Sequence, residues 1–365
     1  TRRTDRDAIF KILRDHHLSA HTHIVGKINT TDSIEIWRDA KCIYQTPRVS
    51  LQCQWETNSL AIAALRDNPD CVASEKQAIQ DVKDPGLSPI LLFNPQDNPT
   101  FPVMNQAQKP RIAILREQGV NSHVEMAYAF TQAGFDAFDV HMSDLQSGRA
   151  KLADFQGIVA CGGFSYGDTL GAGIGWARSI MFNPVLAEQF KVFFARTDTF
   201  ALGVCNGCQM FAELASIIPG AEAWPRFTTN LSERFEARLG QVEVLDSPSL
   251  FFKDMAGARL PIAVAHGEGF ANFSKQGYAD KVLSAMRFVD NHGQPTETYP
   301  LNPNGSHGGL TAVTTADGRF TAMMPHPERV FRTLQFSHFP IAISESNSGF
   351  SPWMHVWANA RAWVN

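Results

Sequence analysis

The residues best suited to chemistry lie in one stretch, Thr199-Phe-Ala-Leu-Gly-Val-Cys-Asn-Gly-Cys-Gln-Met-Phe211. An apolar run over 200–204 has the length of a short buried strand, and Gly203-x-Cys205-x-Gly207 then turns the chain into a helical pattern starting near Gln209. This is the pattern of a nucleophile elbow with sulfur in place of oxygen. A nucleophile on so tight a turn tolerates little bulk beside it, hence the flanking glycines. Backbone N–H groups at the start of the helix that follows favour negative charge and can hold a developing oxyanion. The chemistry on offer is covalent attack by a thiol on a carbonyl carbon.

Such a thiol needs a base within reach and a third group to orient that base. His326-Pro-Glu328 offers both, because residues two apart on an extended segment point to the same side and the carboxylate can lean on the imidazole. Pro325 and Pro327 stiffen the loop that presents them. His266-Gly-Glu268-Gly269 repeats the spacing, but its glycines place His266 in a mobile loop better suited to contacting a ligand. Gly162-Gly163-Phe164 lets the backbone approach a reacting carbonyl, so that one N–H there and that of Asn206 would make a two-donor oxyanion hole. Taken alone, a Gly-Gly pair is equally a plain tight turn. Cys205-x-x-Cys208 is also the spacing of a redox pair or half a zinc site. No second Cys pair completes a zinc site, the glycine frame suits acyl transfer better than redox exchange, and Cys208 is expected to be buried filling.

The elements that must position these groups alternate. Strand patterns at 111–115, 137–141, 157–160 and 200–204 are separated by helical ones, including a helix that Ser122 would cap and Gly134 would stop. Alternation of this kind predicts an α/β fold with a mainly parallel sheet, helices on both faces and the site at the carboxyl ends of the strands. The second half is richer in strands, at 236–244, 260–266 and 287–291, with one more before Met323. A closing helix over 352–364 sets Trp353, Val356, Trp357, Ala360 and Trp363 on one face, as core packing.

Residues 1–68 have a different character, a small α+β unit with helices at 5–17 and 56–66 and strands at 24–28, 33–38 and 41–44. That is a thin core, expected of the tail of a larger domain. The run Asp15-His-His-Leu-Ser-Ala-His-Thr-His23 is expected to face solvent and not to bind metal. Residues 69–109, punctuated by Pro85, Pro89, Pro95, Pro99 and Pro102, have linker chemistry, with apolar patches at Ile90 to Phe93 and Phe101 that would pack along a surface.

At 365 residues, with 44% hydrophobic and 19% charged residues, the chain is long enough for two domains. A net charge of −4 and a pI near 6.3 give no sign of attraction to nucleic acid or membrane. No apolar run reaches the roughly 20 residues of a bilayer span, and six scattered cysteines do not make a disulfide framework, so a cytoplasmic protein with reduced thiols is expected. The first residue is Thr and not Met, as expected of a piece of a longer protein.

Gly-Val-Cys205-Asn-Gly-Cys-Gln209, Cys161-Gly-Gly-Phe-Ser-Tyr-Gly-Asp168 and Pro-His326-Pro-Glu328-Arg resemble the class I, or triad, glutamine amidotransferases, whose fold is flavodoxin-like. More narrowly, Arg116-Glu-Gln-Gly-Val-Asn121, Trp224-Pro-Arg-Phe and Asn230-x-Ser-x-Arg-Phe-Glu-Ala-Arg238 resemble the glutaminase end of the large single-chain phosphoribosylformylglycinamidine synthases. The resemblance covers residues 110–365; residues 1–68 resemble the end of that family's ATP-dependent synthetase region. It implies that Cys205 attacks the side-chain amide of glutamine, that Gly163 and Asn206 hold the oxyanion, and that His326, oriented by Glu328, moves the protons. Glutamine recognition is expected at Phe164, Gln209, Asn230, Ser232, Arg234 and His266. No cofactor is expected in the glutaminase domain. ATP and Mg2+ would serve the mostly absent synthetase region, which converts formylglycinamide ribonucleotide (FGAR) to formylglycinamidine ribonucleotide (FGAM) in purine synthesis. The family's His-Gly-Glu-Gly-Arg reads His266-Gly-Glu-Gly-Phe270 here, so that arginine's role has no counterpart at 270. The competing readings are another thiol hydrolase of similar α/β fold, or a catalytically silent regulatory module.

Overall fold

The computed structural model describes residues 1–95, 108–338 and 349–364. The chain divides into two compact units, Thr1–Asn58 and Ser59–Asn365. In the first, helix α1 (Arg6–Asp15) precedes an antiparallel hairpin of β1 (Ser33–Arg38) and β2 (Lys41–Pro47). Asp39 and Ala40 form its two-residue turn, both at positive φ (46° and 65°), the twist that suits paired strands. The strand expected over 24–28 does not form: Val25 and Ile28 are fully exposed, and without a neighbouring strand the segment has no ladder to join. Helix α2 (Arg48–Ala63) begins at Arg48, ahead of the expected start at 56. No residue of 1–58 is buried, so this unit has no interior of its own.

The expected linker over 69–109 opens as a helix, α3 (Pro69–Ile79). Asn68 caps it, its side chain accepting from the N–H groups of Asp70 and Cys71, and Pro69 occupies the first helical position, where its missing N–H costs nothing. Cys71 and Val72 on its inner side are buried. Further on, Ile90 exchanges backbone hydrogen bonds with Arg259, and Leu91 and Phe93 pack against the core, so this part lies along a surface as its apolar residues required. Pro99, Phe101 and Pro102 lie outside the described residues.

The rest of the second unit is built on β3 (Arg111–Arg116), α4 (His123–Gln132), β4 (Asp136–His141), α5 (Met142–Ser147), β5 (Gly157–Ala160), α6 (Ile174–Met181), α7 (Pro184–Ala195), β6 (Phe200–Val204) and α8 (Asn206–Glu213). Then come β7 (Arg226–Thr228), β8 (Glu236–Val244), β9 (Arg259–His266), β10 (Phe270–Asn272), β11 (Leu283–Phe288), β12 (Leu310–Thr314), β13 (Phe320–Met323) and α9 (Met354–Trp363). One nine-stranded sheet runs β4-β3-β5-β6-β13-β12-β11-β8-β9, while β7 and β10 pair separately. From β4 to β13 all neighbours are parallel; from β13 to β9 all are antiparallel. Every residue of β5, β6 and β13 is buried, as helical cover on both faces demands. Helix α8 packs on β5, β6 and β13 and against α6, whereas α4 packs on β3 and β4 and against α9.

Two elements differ from their sequence patterns. The expected stripe on α9 becomes a helix buried on all sides from Met354 to Arg361, with Trp353 Nε1 donating to the Pro261 carbonyl. The strand expected over 287–291 ends at Phe288, because the Asp290 carboxylate takes the N–H groups of His292 and Gln294 and closes a turn there. Among the described residues no helix is long and apolar enough to cross a membrane.

Candidate active site

The parallel half of the sheet brings the chemistry together. Met323 and Val204 are in register on neighbouring parallel strands, as are Ala160 and Gly203. The chains leaving β5, β6 and β13 therefore exit at the same edge, side by side. Cys205 follows Val204 directly, with φ 54° and ψ −110°, a strained backbone for a residue with a side chain. Its N–H is tied to the Met323 carbonyl at 2.9 Å. Gly207 lies so close to β5 that a Cβ there would stand 1.9 Å from the Ala160 oxygen, which is why the turn after Cys205 needs glycine at this position.

His326 is held from both sides. Its N–H donates to the Ala263 carbonyl at 2.8 Å, and its Nδ1 meets Glu328 Oε1 at 2.6 Å. The expected extended His-x-Glu geometry is replaced by a short turn, Pro327–Arg329, which curls the carboxylate back onto the ring. Both side chains are almost wholly buried, and His326 Nε2 has no hydrogen-bond partner among the described residues. Burial alone would strip the ring of its proton; the Glu328 carboxylate and then the Cys205 sulfur outweigh it and push the pKa up to about 10. A Cβ added to Gly162 would lie 2.5 Å from the His326 ring and 3.2 Å from Cys205 Cβ, so thiol, imidazole and the Gly162 backbone converge on one point.

The Gly162 and Gly163 amides have different fates. Ser122, expected to cap α4, instead accepts the Gly162 N–H on its hydroxyl at 2.9 Å and makes no capping bond. Asn121 N–H takes the Gly162 carbonyl. Gly163, at φ 146°, is left with an N–H that no described residue accepts, on the wall of the cavity that holds Cys205. The Asn206 N–H, first of α8, has no such partner either.

That cavity, of about 280 Å3, is lined by Gly163, Phe164, Asp168, Cys205, Gln209, Arg234 and His266, together with Glu233, Phe235 and Glu268. Its charges are of both signs. Arg234 is paired with Asp67 at 3.2 Å, and Asp168 accepts from Asn206 Nδ2 at 3.3 Å. Burial and then the neighbouring Glu268 carboxylate push Asp168 up to about 6. His266 is the last residue of strand β9 and does not lie in a loop, and a Cβ added to Gly269 would stand 2.3 Å from its ring. Burial, then the charge of His326, push it down to about 3, and both its ring nitrogens are buried without a partner among the described residues.

A family model for CobB/CobQ-like glutamine amidotransferase domains matches residues 109–364. The chain belongs to this family. Among solved structures, it is similar to a chain of PurLQS from Thermotoga maritima, at 25% identity and a TM-score of 0.49, over 62% of this chain and 92% of that one. A glutamine amidotransferase from Thermotoga maritima is similar at 15% identity and a TM-score of 0.37, over 60% and 77% of the two chains.

Within the amidotransferase domain, Cys205, Gly163, Phe164, Gln209, Arg234 and His266 line the cavity; His326, held by Glu328, borders a small adjoining pocket that shares Gly163 and Phe164, and Asn206 follows Cys205 beneath the wall. Asn230 and Ser232 do not reach the cavity. Asn230 is a buried brace, donating to the His266 and Arg234 carbonyls and accepting the Gly269 N–H at 2.8 Å. Ser232 is buried with no partner for its hydroxyl among the described residues. Sequence reasoning missed Asp168 and Glu268 as wall residues, although both stand inside motifs already singled out. It also missed Glu117, which accepts from Tyr166 Oη at 2.8 Å and so ties the Gly163 loop to the end of β3. Cys208 is fully buried and burial pushes its thiol well up, leaving it as core filling.

Proposed function

We propose that this amidotransferase hydrolyses glutamine through a thioester at Cys205, and that the ammonia serves the ATP-dependent conversion of FGAR to FGAM in de novo purine (IMP) synthesis. One observation carries the first half: Cys205 and the Gly163 N–H border a cavity whose walls carry three carboxylates and an arginine, and the Glu328-held His326 and the Asn206 N–H stand beside Cys205. Glutamine has an ammonium and a carboxylate at one end and an amide at the other, and such walls offer a counter-charge to each.

Cys205 Sγ, its proton passed to His326, attacks the side-chain amide carbon, and the oxyanion falls to the N–H groups of Gly163 and Asn206. His326 then gives that proton to the departing nitrogen, which leaves as ammonia while the thioester forms. A water attacks the thioester, His326 takes its proton, and glutamate leaves with the thiol restored. His266, neutral at working pH, adds no charge that would oppose the imidazolium of His326.

The acceptor half rests on the motifs around Arg116, Trp224 and Asn230 and on the unit over 1–58, whose lack of buried residues supports its being the end of a larger synthetase region. In this reading residues 69–109 connect it to the glutaminase portion, all within one longer polypeptide. ATP and Mg2+ would serve the synthetase region, most of which is not part of this sequence. Ammonia released into water would mostly be protonated, so a covered passage to the acceptor is part of the proposal. So is a cytoplasmic location, in keeping with six free cysteines.

The test is peptide mapping after treatment with a diazo-ketone analogue of glutamine. A single adduct on Cys205, blocked by excess glutamine, is expected; labelling spread over several cysteines, or indifferent to glutamine, moves the reading to another thiol hydrolase or a silent module. In the full-length protein, Cys205→Ala is expected to lower glutamine-dependent FGAM formation by about a thousandfold or more while sparing the ammonia-dependent reaction. Loss of both together would count against Cys205 as the nucleophile.

A further inference from the structure

Arg234 is the cationic wall of the cavity, and what holds it comes from outside the amidotransferase domain. Asp67, before the 109–364 region, has a side chain only 1% exposed. Its carboxylate takes Arg66 Nε at 2.7 Å on one oxygen and, on the other, both Arg66 Nη2 at 3.0 Å and Arg234 Nη1 at 3.2 Å. The next residue repeats the attachment through the backbone, with Asn68 N–H donating to the Ser232 carbonyl at 3.1 Å. Asn68 also caps α3, and Ser74 on that helix donates to the Tyr299 carbonyl. The turn bearing Ser232 and Arg234 is thus stitched to the segment that precedes the domain. On its other side Arg234 Nε faces Glu236 at 3.6 Å, but the fully buried Glu236 is shared with Arg238 at 2.6 Å. Each carboxylate is shared with a second arginine, Asp67 with Arg66 and Glu236 with Arg238, and Asp67 is the nearer to Arg234.

We propose that Asp67 is a positioning residue for substrate: it holds the Arg234 guanidinium on the cavity wall, where it meets the carboxylate of glutamine, and so makes glutamine affinity depend on the segment before the domain. This rests on the reading of the cavity as a glutamine site. A long, rotamer-rich side chain that is tethered at one nitrogen presents its others in a fixed fork, whereas an untethered one must be ordered by the ligand. Asp67 touches no reacting atom. Its removal should therefore weaken binding and leave the chemical step alone.

The experiment is a double-mutant cycle on the whole 365-residue chain with Asp67→Asn, Arg234→Gln and the pair, read by glutamine hydrolysis. A parallel substrate, 4-aminobutanamide, is glutamine without its carboxylate. Asp67→Asn is expected to raise KM for glutamine about tenfold with kcat within about twofold, to leave 4-aminobutanamide unaffected, and to add nothing once Arg234 is gone. If Arg234→Gln raises KM and Asp67→Asn does not, the positioning role falls while the glutamine site stands. If Arg234→Gln leaves KM unchanged, the carboxylate site itself falls, and the role of Asp67 with it. Equal losses on both substrates, or a loss from Asp67→Asn that persists in the Arg234→Gln background, would mark Asp67 as merely structural.

Discussion

At the scale of single residues, the site is a set of charges whose values depend on one another. His326 keeps its proton to about pH 10 because Glu328 and Cys205 outweigh burial. Glu328→Gln removes the larger of those two supports, so the alkaline limb of glutamine hydrolysis should move to lower pH and kcat should fall by about 10²–10⁴. An unchanged pH profile would mean that Glu328 does not orient the base. Asp168, lifted to about 6, ionises inside the working range and only then offers a full charge to an ammonium. KM for glutamine should therefore rise as pH falls through 6, and Asp168→Asn should raise KM and abolish that dependence. Both Asp168 and Glu268 were present in recognised motifs, but nothing in their spacing says that two loops, one after β5 and one after β9, bring two carboxylates to the same wall.

At the scale of elements, the elbow works because α8 lies almost in contact with β5. Gly207→Ala would put a methyl carbon 1.9 Å from the Ala160 carbonyl oxygen, backbone that cannot rotate away. The expected result is a loss of about 2–4 kcal/mol by chemical denaturation, together with slower labelling of Cys205 as the helix start withdraws. Stability unchanged within error would show that the sheet can shift to accept the methyl. The strand, elbow and helix were legible because a run of buried apolar residues between glycines has few other solutions. The helix α3 was not: prolines at 85 and beyond coloured the whole segment as linker and hid the cap offered by Asn68 and Pro69. Ser122 was legible as a cap by type, yet its hydroxyl is taken by Gly162, a partner from another strand's loop.

At the scale of the whole molecule, the buried histidines His266 and His326 act in opposite directions on the pH dependence of stability. His266, at about 3 when folded, binds its proton only in the unfolded chain between pH 3 and its ordinary value of 6.5, so its contribution to stability rises with pH over that window. His326, at about 10 when folded, contributes fully below 6.5, and that contribution is lost as pH rises to 10. Asp168 opposes His266, since its raised carboxyl favours the folded state less as pH rises from 3.8 to 6. His266→Gln should lower the slope of stability against pH between 3 and 6.5 by up to about 1.4 kcal/mol per pH unit, measured by denaturant titration against the parent. Identical slopes would mean that His266 is not buried as a neutral ring.

The sequence by itself determined the alternating α/β pattern, the sulfur elbow and the His-x-Glu pair, because each is local: periodicity, a glycine frame or a spacing of two decides it. Only the tertiary structure decided that the sheet turns antiparallel beyond β13, that Asn230 braces where it was expected to bind, and that Asp67 reaches Arg234 across 167 positions of chain. Those outcomes depend on which strand edges and loops meet in space, and a buried charge finds its counter-charge by proximity in the fold, which no local pattern encodes.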